Sequence, residues 1–80
     1  MDDQDEERFD AVLRSVGDRK ISVLKLVREV LGLDSVGAKD FIESVPRTVK
    51  KNLPEDEARA LQRRFDAVGA DLGMESSPRP

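Results

Sequence analysis

The sequence predicts one small two-layer α/β domain with the element order β-α-α-β-α-β. Two observations predict it. Hydrophobic periodicity switches between two and about 3.6 residues along the chain, and glycine, proline or aspartate stands at nearly every switch. The length agrees, because 80 residues make one domain and not two. A chain this short buries only about 60% of the surface its unfolded form exposes, which leaves room for one core and for no deep, dry pocket.

Each element has its own signal. Phe9, Ala11 and Leu13 alternate with Asp10, Val12 and Arg14, the period of a strand with one buried face. Gly17-Asp18 is a turn, and Asp18 is placed to cap the helix that follows. That helix runs from about Lys20 to Leu31 and stops at Gly32. A second begins near Asp34 or Ser35, puts Ala38, Phe41, Ile42 and Val45 on one apolar face, and ends at Pro46. Residues 47 to 51 form a short strand around Val49. A third helix opens at Pro54-Glu55-Asp56-Glu57, where proline fits the first turn and the acids meet the positive end of the helix dipole. Ala58, Leu61, Phe65 and Val68 are its buried face, and Gly69 closes it. Residues 70 to 74 make the last strand, with Leu72 and Met74 alternating. Residues 1 to 7 and 75 to 80 hold no apolar cluster able to offset the entropy of ordering them, so the ordered domain is expected over 8 to 74.

Composition removes whole classes of function. The chain has neither cysteine nor histidine, which takes away the commonest general base, the commonest zinc ligands and any thiol nucleophile. Ser15, Ser22, Ser35, Ser44 and Thr48 have no histidine to activate them, phosphate-loop glycine patterns are absent, and no cofactor or metal is implied. Enzymatic activity is therefore not expected. Asp-Asp-Gln-Asp-Glu-Glu after Met1 is the opposite of a cationic targeting sequence, and no apolar run approaches the roughly 18 residues of a membrane span. A cytoplasmic protein with no membrane partner is the expectation.

The net charge of −3 divides unevenly. Asp2, Asp3, Asp5, Glu6 and Glu7 contribute −5, residues 8 to 74 contribute 13 − 11 = +2, and Glu75 cancels Arg79. A balance of +2 is far below the dense basic patch of a nucleic-acid binder. Lys50-Lys51 and Arg63-Arg64 lack interleaved aromatics, since Phe9, Phe41 and Phe65 all fall on expected core faces. Nucleic acid is an unlikely partner on this pattern.

The first helix carries one face that does not belong to the core. Projected at about 100° per residue from Lys20, Leu26, Val30, Val23 and Val27 fall between about 240° and 340°, a compact apolar stripe. Arg28 falls near 80°, Ile21 near 100° and Lys25 near 140°. Lys20, Ile21, Leu24, Lys25 and Arg28 thus form a strip of cations with apolar residues among them. Such a strip is either a solvated face or a docking surface for an acidic segment of another protein.

At these residues the chain resembles the C-terminal globular domain of the bacterial ribosomal large-subunit acidic stalk protein. The match spans residues 8 to 74 and includes Phe9-Asp10, Leu13, Gly17, Lys20, Lys25, Val27-Arg28, Gly32-Leu33, Ala38-Lys39-Asp40, Glu43, Pro46, Val49-Lys50, Ala58 and Gly69-Ala70, spaced without a gap. The resemblance implies an α+β two-layer sandwich, three helices on a three-stranded antiparallel sheet. It implies a protein-binding module that recruits translational GTPases, elongation and initiation factors among them, through its first two helices. Carried over position by position, the partner-binding face is Lys20, Ile21, Leu24, Lys25 and Arg28 with Lys39 from the second helix.

The chain also departs from the family pattern. Asp34-Ser35-Val36-Gly37 stands where the family has Gly-Leu-Lys-Glu, Arg19 replaces an asparagine, and the family's dimerising hairpin and Ala/Gly-rich hinge are not seen. The departures lead to the expectation of either an excised domain or a free-standing paralogue, the paralogue being favoured by the acidic leader and Pro-rich end, and to the expectations of a monomer and of weaker binding to ordinary elongation factors. A rival reading is the related Clp protease adaptor, whose pocket grips a free amine with acidic, amide and histidine groups. The missing histidine and the cationic strip count against it.

Overall fold

The computed structural model describes residues 7–77. The element order is β1 (Arg8–Ser15), α1 (Lys20–Leu31), α2 (Ser35–Glu43), β2 (Arg47–Pro54), α3 (Glu55–Ala67) and β3 (Asp71–Ser76). The strands form an antiparallel sheet in the order β2-β1-β3, so the first strand is central and both later strands are edges. The fold is α+β, as the sequence pattern and the resemblance led one to expect. The helices pack over one face: α3 lies against all three strands, and α1 packs chiefly on α2.

One apolar core joins the layers. Leu13 of β1, Val23 and Val27 of α1 and Phe65 of α3 are its largest fully buried side chains. Among the described residues no polar or charged residue is buried, so burial there carries no unpaired polar group to offset it. Phe9 departs from expectation. It is only half-buried, near the start of β1, although the unshifted pairing of β1 with β3 from Phe9 to Leu13 keeps it on the face of Ala11 and Leu13.

Four element boundaries differ from those the sequence suggests. Helix α2 ends at Glu43, short of Pro46, so Val45 packs against the core from outside the helix. Arg19, not Asp18, is the residue preceding α1, and its side chain makes no capping hydrogen bond. Strand β2 runs on to Pro54, accommodated by Asn52 in the left-handed region at φ 60°. Strand β3 continues through Glu75 and Ser76, and the Ser77 N–H donates to the Arg8 carbonyl at 2.8 Å. The tail expected to start at Glu75 is thus corrected at its first three residues, which pair with β1 or hydrogen-bond beside it. The expected disorder of residues 1 to 6 and 78 to 80 lies outside the described residues.

Two local devices fasten the sheet. Asp10 on the central strand accepts the Asn52 N–H of β2 at 3.0 Å and the hydroxyl of Ser77, so one carboxylate ties down both edges. The Ser77 hydrogen bond, then that from Asn52, and more weakly the charge of Lys51 hold this carboxyl below its ordinary value of 3.8. At the other end of β1, the turn at Gly17 (φ +76°) presses on the end of α3. A Cβ at Gly17 would lie 2.3 Å from the Gly69 carbonyl oxygen. Only glycine fits there.

Candidate docking groove between the first two helices

The groove begins with why α1 and α2 form a hairpin. Helix α1 buries Val23, Leu26 and Val27 and ends at Gly32, whose left-handed backbone (φ 69°) lets its N–H reach the Arg28 carbonyl at 2.8 Å. Two residues later Asp34 caps α2, its carboxylate accepting the Gly37 N–H at 2.7 Å. Such a cap contributes about 1 kcal/mol. Helix α2 turns Ala38, Phe41 and Ile42 inward, and Ala38, fully buried, lets the two helices approach closely. Phe41 is covered from the β2 side by the Arg47 guanidinium, 4.7 Å from the ring centre.

Where α1 begins and α2 ends, the hairpin leaves a cleft of about 410 Å³ lined by Val16, Lys20, Ile21, Leu24, Lys39, Ile42 and Glu43. Its lining is mainly apolar, with the two lysines and Glu43 supplying charge. Four of the six residues assigned from the sequence therefore meet at one cleft: Lys20, Ile21, Leu24 and Lys39. Lys25 and Arg28 do not line it. They are exposed further along α1, where they add positive charge beside the cleft without forming its wall.

Ile21 is 71% exposed, whereas Leu24 is half-buried and packs against the core. Ile21 therefore contributes little to this fold and has most of its apolar surface free for contact. Sequence reasoning missed three lining residues. Val16 and Ile42 belong to the buried core and form the floor of the cleft, so their hydrophobicity signalled only burial. Glu43 had a usable signal, its i, i+4 spacing from Lys39, which sets both on one side of α2.

Two other features of the surface are less suited to binding. A larger, more open hollow of about 560 Å³ beside the start of α3 is lined by Glu7, Pro54, Glu55, Asp56 and Arg59. Its one cation is already engaged, since Arg59 contacts Glu55 at 2.7 Å. Arg64 of the second basic pair is held by Glu29 of α1 at 3.1 Å, an interhelical tie. No group of residues able to hold a metal ion, and no helix long and apolar enough to cross a membrane, occurs among the described residues.

Comparison with known proteins bears on the whole domain. Residues 9–75 match the model of the ribosomal protein L7/L12 C-terminal domain. Curated relatives named large ribosomal subunit protein bL12 include that of Thermoanaerobacter sp. strain X514, 45% identical over 69 residues, covering 86% of this chain and 55% of the relative. That of Acholeplasma laidlawii is 45% identical over 67 residues, covering 84% of this chain and 54% of the relative. That of Neisseria gonorrhoeae is 39% identical over 71 residues, covering 89% and 58%. The chain thus spans a little over half the length of these curated relatives. Matched along nearly its whole described length, the chain belongs to the ribosomal protein L7/L12 C-terminal domain family.

Proposed function

We propose that this domain is a protein-docking module of the ribosomal stalk type, acting in the cytoplasm as a single copy, and that it recruits translational GTPases through the α1/α2 cleft. The observation that carries the reading is the convergence of Lys20, Ile21, Leu24 and Lys39 on one mainly apolar cleft. Family membership supports it, because the relatives are named as ribosomal proteins.

Recruitment of this kind needs no chemistry from the module. Ile21 and Leu24 supply apolar contact, and Lys20 and Lys39 orient an acidic helix or loop between them. Lys25 and Arg28, outside the cleft wall, raise the encounter rate with an acidic surface. The free energy is modest, on the order of −8 kcal/mol for micromolar binding, which suits a factor that must be released every cycle. Titrating the labelled domain against purified elongation factors tests the proposal. Micromolar binding that Lys39→Glu abolishes supports it, and absence of binding to every translational GTPase defeats it.

A further inference from the structure

Among the described residues two large apolar side chains are exposed, Ile21 and Val36, and both stand on the α1/α2 hairpin. Val36 is 77% exposed in the first turn of α2 and is not needed by the core. It also shares a stripe with the cleft wall. Val36, Lys39 and Glu43 follow at i, i+3 and i+7 and so lie on one side of α2, about 10 Å from end to end. On α1 the matching stripe is Ile21, Leu24 and Arg28, with the same spacing.

The cleft joins the start of α1 to the end of α2, so the two stripes run antiparallel. Ile21 and Leu24 are accordingly matched with Glu43 and Lys39, and the stripes carried one turn further bring Arg28 towards the Val36 end. We infer that the docking surface continues past the cleft along α2 to Val36. Its partner is then a helix with an apolar ridge two turns long, whose far apolar residue covers Val36 while acidic residues beside the ridge face Lys39 and Arg28.

Charge and burial select this occupant. The surface combines the apolar Ile21, Leu24 and Val36 with the cations Lys20, Lys39 and Arg28, and carries two acids, Glu43 at the end remote from Val36 and Asp40 one turn on from Val36. An acidic amphipathic helix satisfies that pattern. A second copy of this chain would set Lys20, Lys39 and Arg28 against the same cations across a two-fold axis. A lysine at position 36 would favour a partner acid there, whereas valine favours an apolar residue and leaves a partner carboxylate unpaired. Val36 is thus a specificity determinant for the site of the proposed function, on which this inference rests.

The test uses the full chain and synthetic acidic helical peptides. One peptide carries leucines at i, i+4 and i+7 flanked by glutamates, and two others carry glutamate in place of either terminal leucine. The expected result is that the three-leucine peptide binds best and that one of the two replacements costs about tenfold in affinity. Val36→Ala should weaken the three-leucine peptide about tenfold, and Val36→Lys should reverse the preference between it and that replacement. No peptide binding, or peptide preferences that Val36→Lys leaves unchanged, overturns the extension to Val36. A parallel titration of an elongation factor with the Ile21→Ala variant separates the two ideas. If that variant weakens factor binding while Val36 variants change nothing, the extension alone fails; if neither matters, the docking reading fails with it.

Discussion

Replacing Ile21 with alanine removes three carbons from a side chain that is 71% exposed in the free domain. Covering those carbons completely is worth about 0.8 kcal/mol each, or about 2.4 kcal/mol. Only the share still exposed remains to be gained on binding, so the loss in a complex is about 1.5 to 2 kcal/mol, a factor of roughly ten to thirty in Kd. The same arithmetic leaves under about 1 kcal/mol for the fold, and the better helix propensity of alanine offsets part of it. Ile21→Ala should therefore lower the melting temperature by no more than a few degrees. Val23→Ala, two residues on and fully buried, should cost about 2 kcal/mol or more and roughly 10 °C. Thermal melts followed by circular dichroism read the effect on the fold, and a fluorescence-anisotropy titration with stopped-flow dissociation reads the effect on binding. The expected pattern is a melt lowered by no more than a few degrees, an unchanged association rate and faster dissociation. An Ile21→Ala domain that binds as tightly as the original would refute the assignment of apolar contact to this residue, and a fall of 10 °C would show that Ile21 supports the fold.

Three further outcomes follow from the same geometry. Reversing Lys25 and Arg28 to glutamate should slow association with an acidic factor and flatten its salt dependence while leaving the melt unaltered, and an unchanged rate would mean that these two cations only solvate α1. Gly17→Ala, forced against the Gly69 carbonyl at positive φ, should cost at least about 2 kcal/mol in urea unfolding. Gly32→Ala, with open space around its Cβ, should cost only the left-handed backbone term of about 1 to 2 kcal/mol, and equal losses at both sites would discount the close approach. Asp10 has a carboxyl held below its ordinary value of 3.8, so it stabilises the fold above that pH and loses the contribution as pH falls below it through the depressed folded value. Stability measured from pH 5 downward should thus decline less steeply in Asp10→Asn than in the parent, and parallel curves would discount the carboxylate.

Much of this fold was legible in the sequence, for reasons that differ by element. Helix α1 came out with both bounds right because one unbroken apolar stripe ends in a glycine. Strand β2 was cut short because the irregular pairing near Asn52 destroys the period-two signal that identifies a strand. The end of β3 escaped for another reason. Glu75 and Ser76 are held by backbone pairing to β1, which leaves no hydrophobic trace. Asp18 looked like a cap on residue type alone, yet the turn at Gly17 carries the chain past it so that Arg19 precedes the helix. For the candidate site, charge and spacing found the α1 strip but could not tell wall from surroundings. Lys20 and Lys25 are alike in sequence, and only the position of α2 decides that the first lines the cleft and the second does not.

The hydrogen bond between Ser77 and Arg8 brings both ends of the described chain to one tip of the central strand. Val16, on the floor of the cleft, directly follows the opposite tip at Ser15. Eight residues of β1 therefore act as a strut of roughly 23 Å between the chain's points of entry and exit and the cleft. A leash, dye or surface attached at either end pulls on the same tip and leaves the far one facing outward. A tether at either end of the described chain thus holds the domain at the tip opposite the cleft, like a tool held by its grip.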